Sequence, residues 1–213
     1  TWNDFWLNEG FTVYFELRIM EALYGKSYTA MLASLGYQSL KATVADLTPR
    51  ETHLFLDLAG KNPDDGMTDI AYEKGAHFLL MLEEKAGREA FDAFLKSYFK
   101  DHEFQSMTTT SFLEYLDENL IKPNKLDVNV DEWVYAPGLP ANCPVATSER
   151  FASVDVQADN FIKGQPAPSL NINGWTTQEW LHFIQALPDS LSAEQMKDLD
   201  AAFGFTKSGN SEI

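Results

Sequence analysis

Large apolar residues at helical spacing constrain this chain more than any other feature. Between Arg88 and Lys100, one face is formed by four side chains three or four positions apart: Phe91, Phe94, Leu95 and Tyr98. The segment 108–119 repeats the pattern with Phe112, Leu113 and Leu116. Such stripes are typical of helices that bury one face, and we interpret them as core rather than as a ligand platform. The pattern predicts an all-α fold.

Glycine, proline and small polar residues divide the chain into helices and loops. We predict eight helices, over 9–23, 27–47, 69–86, 88–100, 108–119, 131–135, 176–187 and 192–203. The segment 48–67 is predicted to be a loop with a turn at 62–66, where Asp64 and Asp65 fit ordinary turn chemistry. A second stretch rich in Pro, Asn and Gly runs from Pro140 to Gly174 and predicts a domain boundary. The first domain would cover 1–140, the connector 141–174 and a second helical domain 175–213. Two helices are too few for a stable helical repeat domain by themselves.

The composition excludes several functional classes. With 45% hydrophobic and 23% charged residues, the chain is typical of a globular protein. A net charge of −16 argues against nucleic acid and anionic membranes as partners, and no apolar run is long enough to span a bilayer. The single cysteine, Cys143, excludes an internal disulfide. Low cysteine use fits a cytoplasmic protein, and the periplasm stays open.

Glu9 and Tyr72 each have a functional and an ordinary structural interpretation. Glu9 follows an aromatic run, and a carboxylate among large apolar groups is costly unless a cation or several donors pair with it. Glu16 lies two turns later on the same face. The ordinary interpretation is a helix start, with Asn8 as N-cap and Glu9 in the first turn. Tyr72, at another helix start, ordinarily serves packing, and the small residues after it let another segment approach the backbone.

Three segments carry a family resemblance. The first motif is Trp6-Leu7-Asn8-Glu9-Gly10-Phe11, the second is Tyr72-Glu73-Lys74-Gly75, and the third runs from Trp133 to Pro140 as WVYAPGLP. In this order and spacing they resemble motifs of the M1 family of zinc aminopeptidases, and the third resembles the leukotriene A4 hydrolase and aminopeptidase B branch. The resemblance implies the helical half of a thermolysin-like catalytic domain, followed by the start of a C-terminal helical, solenoid-like domain.

The resemblance also implies a reaction and residue roles. The family removes N-terminal residues from peptides with a Zn²⁺ ion that polarises the substrate carbonyl and lowers the pKa of its bound water. By resemblance, Glu9 is a zinc ligand and Tyr72 hydrogen-bonds to the oxyanion that forms on the scissile carbonyl. Glu16 is expected to orient a ligand histidine. Asp64 matches a loop acid that shapes the substrate pocket.

Departures from the family pattern limit these expectations. The His-Glu-x-x-His helix that carries two zinc ligands and the catalytic glutamate would fall before Thr1, and the four histidines are scattered: His53, His77, His102 and His182. We therefore expect a part of a longer metallopeptidase, with upstream catalytic and N-terminal domains as its partners. By itself this part is expected neither to hold zinc tightly nor to be active.

Two alternative functions stay open. Met67 stands where leukotriene A4 hydrolase has a second tyrosine, so peptidase activity is expected rather than epoxide hydrolysis. An epoxide hydrolase would also need a lipid-sized pocket, which the sequence cannot show. The other alternative is a non-catalytic helical interaction module, which would explain the acidic surface and the helix pairs without any metal.

Overall fold

The predicted helical stripes fold into an all-α structure without a β-strand. The computed structural model describes every residue from Thr1 to Ile213. Short 3₁₀ and π turns join or extend the α-helices. In chain order the α-helices are α1 Phe5–Tyr24, α2 Lys26–Asp46, α3 Gly75–Ala86, α4 Arg88–Asp101, α5 Thr109–Leu116, α6 Lys122–Asn124, α7 Val130–Val134, α8 Glu149–Ile162, α9 Thr177–Ala186 and α10 Ala193–Phe203.

Helix α1 begins earlier than its sequence indicates. A 3₁₀ turn over Trp2–Asp4 leads directly into α1, which starts at Phe5. Asn8 is therefore not an N-cap, and Glu9 lies in the second turn of the helix. The interpretation of Glu9 as a helix-start acid is wrong, because the first-turn N–H groups that such an acid would face lie four residues upstream. Helix α2 likewise starts at Lys26, so Ser27 is inside its first turn.

The helix that carries the second motif has two parts. A π turn over Ile70–Lys74 continues without a break into α3. The Thr68 hydroxyl accepts the Ile70 N–H at 3.4 Å, and Gly87 ends α3 with a φ of 80°, as the sequence predicts for this helix. Helix α5 is extended beyond the predicted end by a second π turn and by α6.

One helix was not predicted. Helix α8 lies within the segment 141–174, which the sequence analysis assigned to a connector. Its N-cap Ser148 accepts the Phe151 N–H at 3.3 Å. The buried side chains recur at helical spacing: Phe151, Val154, Ala158 and Phe161. This periodic signal is present in the sequence, but the prolines, asparagines and glycines on both sides of it dominate the local composition.

The chain divides into two compact units, and each has its own core. The first comprises 1–20 and 36–145, and the second comprises 21–35 and 146–213. The three motifs all lie in the first unit, whose core is rich in aromatic side chains that include Trp6, Phe78, Phe91, Phe112 and Trp133. The second unit packs around Val154, Ala158, Phe161, Phe183 and Leu199. None of the helices combines the length and the apolar character that a membrane span requires.

Candidate functional site

Two polar anchors fix the first turns of α1. The Trp6 indole N–H donates to the Thr109 hydroxyl at 3.0 Å, and the Thr109 N–H donates to the buried Asp4 carboxylate at 2.8 Å. The Trp6 ring is fully buried against Phe78 and Phe112, with ring centroids 5.9 and 5.7 Å apart. Because a packed indole with a paired N–H has little rotational freedom, the rotation of α1 about its axis is set at the first motif.

Helix α1 crosses the start of α3 with their backbones in contact. A Cβ atom added at Gly10 would lie 2.8 Å from both the carbonyl carbon and the Cα of Gly75. A Cβ at Gly75 would lie 2.9 Å from the Gly10 Cα. Side chains at these two positions would hold the helices apart, so both must be glycine for the crossing to form. The expectation that small residues of the second motif allow close approach is confirmed, and the approaching segment is the first motif.

This crossing brings Glu9 and Tyr72 together. Each residue lies close to one of the contacting glycines in the sequence, and both side chains are half-buried. The Tyr72 ring packs edge-on against Phe5, with ring centroids 5.8 Å apart. Burial raises the pKa of the Tyr72 phenol, and the negative charge of Glu9 raises this pKa further. The phenol therefore keeps its proton at neutral pH and can act as a hydrogen-bond donor.

Glu16 faces another carboxyl group rather than a histidine of this chain. The Glu73 carboxyl is pressed against Gly36 of α2, which has no side chain to exclude it. Burial, followed by the charges of Asp69 and Glu16, raises the pKa of Glu73 to about 7. The Asp69 carboxylate accepts hydrogen bonds from two hydroxyl groups of α2, those of Ser39 at 2.5 Å and Thr43 at 3.1 Å.

A buried lysine joins the second motif to two other segments. Lys74 has no exposed surface, and its ammonium donates to the carbonyl of Thr52 at 2.7 Å and of Ala136 at 3.2 Å. Burial lowers the pKa of Lys74 to about 8. Neither Glu73 nor Lys74 was predicted to have a role. Their presence inside a recognisable motif indicated that they matter. Their burial could not be read from the sequence, because it depends on how the helices pack.

Asp64 lies on an exposed turn beside the N-terminal segment. It belongs to a 3₁₀ turn over Pro63–Gly66, where its N–H donates to the side chain of Asn62 at 3.2 Å. The Asn3 side chain reaches the same loop and accepts the Leu58 N–H at 3.1 Å. The Asp64 side chain is exposed to solvent. The role of Asp64 in a substrate pocket stays a prediction.

Residues of this chain do not complete a metal site. Glu9 offers one carboxylate, but no group of three His, Cys, Asp or Glu side chains converges anywhere in the structure. One ring nitrogen of each of three histidines bonds elsewhere: His77 Nδ1 to the Glu73 carbonyl, His102 Nδ1 to the Tyr98 carbonyl and His182 Nε2 to the Asp155 carboxylate. A catalytic zinc needs about three protein ligands, so this set does not fit the ion by itself.

Two cavities adjoin this region without including Glu9 or Tyr72. One, of about 740 Å³, is lined mainly by α1 and α4 side chains that include Asn8, Phe11, Phe15 and Phe99. The other, of about 330 Å³, lies beside the Asp64 turn and is lined by Phe55, Leu58, Asp65 and Tyr135 among others. The first is a wide groove lined by aromatic side chains. The larger of these two cavities therefore does not coincide with the Glu9–Tyr72 site.

Sequence comparisons point to one family. Residues 1–133 match the peptidase family M1 domain. Leucine aminopeptidase 2 of Aspergillus terreus is 33% identical over 226 residues, which cover 100% of this chain and 37% of the relative. A leukotriene A-4 hydrolase homolog of Botryotinia fuckeliana is 31% identical over 232 residues, covering 100% of this chain and 34% of the relative. The chain thus spans about a third of the length of these relatives.

Structural comparisons agree. Yeast LTA4 hydrolase in complex with bestatin superposes with a TM-score of 0.88 at 27% identity, covering 99% of this chain and 39% of the yeast chain. An M1 zinc metallopeptidase from Deinococcus radiodurans gives a TM-score of 0.53 at 27% identity, covering 68% of this chain and 30% of that protein. The predicted all-α class is confirmed, and the fold corresponds to the helical C-terminal part of LTA4 hydrolase-like structures.

Proposed function

This chain belongs to peptidase family M1, and from that membership we propose that it forms the helical part of the catalytic domain of a zinc-dependent aminopeptidase. The enzyme would remove N-terminal residues from peptides. The observation that carries the proposal is the Gly10–Gly75 contact. Two motifs more than sixty residues apart in sequence meet at their glycines. The contact joins the helix turn that carries Glu9 to the turn that carries Tyr72, and the charge of Glu9 acts on the Tyr72 phenol.

Each of the four site residues has a proposed role. Glu9 is a carboxylate ligand of the zinc ion, and Glu16, on the same face of α1, orients a ligand histidine. Tyr72 donates a hydrogen bond to the oxyanion that forms on the scissile carbonyl, for which its raised pKa is suitable because the phenol stays protonated. Asp64, on its exposed turn, contacts the bound peptide.

The remaining parts of the active site belong to a longer protein. In this proposal its upstream catalytic and N-terminal domains supply the other zinc ligands, the general base and the group that binds the substrate amine. Peptides are the substrates, and neither nucleic acid nor a membrane is a partner, which agrees with the net charge of −16. The proposed compartment is the cytoplasm.

Peptide hydrolysis by the longer protein tests this function. We expect release of a single N-terminal residue from an unblocked peptide, detected by mass spectrometry. The same peptide with an acetylated N-terminus should stay intact, because an aminopeptidase requires the free amine. Activity should disappear with a zinc chelator and return when zinc is added in slight excess.

Other outcomes would favour the alternatives. A protein that cleaves neither peptide under zinc-replete conditions would support the non-catalytic helical module. Conversion of a lipid epoxide to a diol would support epoxide hydrolysis, which we do not expect, because the thioether of Met67 cannot donate the proton that a tyrosine at that position offers.

A further inference from the structure

Lys74 is a buried cation without an anionic partner. It is 0% exposed, and its hydrogen bonds go to two main-chain carbonyls, of Thr52 and Ala136. No carboxylate forms an ion pair with it. Removing an ammonium group from water is costly, and carbonyl dipoles compensate less than a carboxylate would. The lowered pKa of about 8, caused mainly by burial, reflects this cost. A buried lysine of this kind contributes less to the stability of the fold than an apolar side chain would.

The two carbonyls belong to separate segments that meet at Lys74. The first segment is the 3₁₀ turn Pro49–Thr52, and the second is the third motif. Further bonds join these segments to each other. The Thr52 hydroxyl accepts the Gly138 N–H at 2.7 Å, and the Phe55 N–H donates to the Val134 carbonyl at 3.2 Å. Lys74 is therefore the point where the second motif, the third motif and the loop after α2 are held together.

The position of Lys74 in the helix connects this junction to Tyr72. Lys74 is two residues after Tyr72 and immediately before Gly75, within the π turn Ile70–Lys74. Gly75 fixes the same turn to α1 through the backbone contact with Gly10. The turn that carries the Tyr72 phenol is thus held on one side by α1 and on another by the Lys74 ammonium.

We propose that Lys74 is a positioning residue that fixes the turn carrying Tyr72 by binding the carbonyls of Thr52 and Ala136. This inference rests on the proposed function, because it assigns Lys74 a role through the hydroxyl of Tyr72. Tyr72 and Lys74 lie in one four-residue motif. In the structure the Lys74 ammonium anchors the helix turn that also carries the Tyr72 phenol. A displacement of a catalytic group by about 1 Å can cost about a hundredfold in rate.

A double-mutant cycle on the longer, zinc-loaded protein tests the inference. Lys74→Met keeps an unbranched side chain of nearly the same length and removes the ammonium. It should lower kcat for an aminoacyl-anilide by between about tenfold and a hundredfold, with a small change in KM. Tyr72→Phe should lower kcat far less in the Lys74→Met background than in the wild type. The reason is that a misplaced Tyr72 hydroxyl already contributes little to the rate. Lys85→Met, an exposed lysine on α3, is the matched control and should change neither constant.

Three results would count against the inference. If Tyr72→Phe costs the same factor in both backgrounds, Lys74 acts independently of Tyr72, and the inference fails while the proposed function stands. If Lys74→Met leaves kcat unchanged, the inference likewise fails and the proposed function stands. If the wild type does not hydrolyse the anilide at all, both fail together. Should Lys74→Met not fold, the cycle is repeated with Lys74→Gln, whose uncharged side-chain amide can still donate to one of the two carbonyls that Lys74 binds. Additive losses there would overturn the inference equally.

Discussion

Tyr72 and Glu73 are neighbours in the sequence, and the structure perturbs both in the direction that keeps a proton on the side chain. For Tyr72 the causes are burial and the nearby charge of Glu9. For Glu73 the causes are burial and the charges of Asp69 and Glu16. The second motif therefore carries, at consecutive positions, a phenol that stays protonated and a carboxyl group whose pKa lies near neutrality. Perturbed groups of this kind concentrate at functional sites.

The phenol hydroxyl of Tyr72 is expected to matter for rate and not for the fold. Tyr72→Phe in the longer protein should lower kcat by about a hundredfold to a thousandfold, as the loss of one oxyanion donor does elsewhere. Zinc content and the far-UV circular dichroism spectrum should stay unchanged. Tyr24→Phe, at an exposed tyrosine, is the control. A loss of less than about threefold would remove Tyr72 from the catalytic role, since a donor at the oxyanion contributes much more.

Glu73 predicts a pH-dependent stability. Its pKa is about 7 in the folded chain against an ordinary value of 4.5, so between these pH values the folded chain binds more protons than the unfolded chain. The contribution of Glu73 to the free energy of unfolding therefore falls as the pH rises from about 4.5 to about 7. Glu73→Gln should unfold at a higher temperature than the wild type at pH 8, and the difference should shrink at pH 5. Glu84→Gln, at an exposed residue on α3, should show no such trend.

At the scale of helices, the crossing of α1 and α3 organises the site. Gly10 and Gly75 are both buried, and a Cβ atom at either position would overlap the backbone of the other. The obstacle to a larger residue is main chain, which cannot rotate away as a side chain can. The crossing is therefore sensitive to a single added methyl group.

Gly10→Ala should separate the two helices. A Cβ at 2.8 Å from the Gly75 backbone forces a shift, and we expect a loss of about 1–3 kcal/mol in the free energy of unfolding. Peptidase activity should fall as well, because Glu9 and Tyr72 move apart. Gly209→Ala is the control, since no atom lies within 4 Å of the added Cβ. Equal stability of the two variants in urea unfolding would contradict the close crossing.

Helix spacing predicted most of the helices but not their ends. The apolar stripe at 88–100 is a local pattern that the sequence displays. The starts predicted at 176 and 192 agree with the structure, in which Thr176 and Ser192 form capping boxes for α9 and α10. The start of α1 was misjudged because its first turn is fixed by Asp4 and Trp6 through contacts to Thr109, more than a hundred residues away. Helix α8 was missed although its apolar spacing was available.

At the scale of the whole molecule, family membership and the packing of the first unit both support a site formed where the motifs meet. The motifs lie in the unit that comprises 1–20 and 36–145, and their glycines, their buried lysine and their aromatic side chains belong to it. Physical reasoning singled out Glu9 and Glu16 on one helix face, and the family resemblance supplied their roles together with Tyr72 and Asp64. Their relation in space could not be predicted, since it depends on the Gly10–Gly75 crossing. Glu73 and Lys74 could not be recognised, because burial of a charge depends on long-range packing.

The most direct test of the central claim is the zinc content of the longer protein with Glu9→Gln, set beside Tyr72→Phe. Metal is measured per mole of folded protein, together with aminoacyl-anilide hydrolysis. The account predicts that Glu9→Gln loses both zinc and turnover while the fold survives, whereas Tyr72→Phe keeps zinc and loses turnover. If Glu9→Gln retains stoichiometric zinc and full activity, Glu9 is not a ligand, and the proposed site is wrong at its centre.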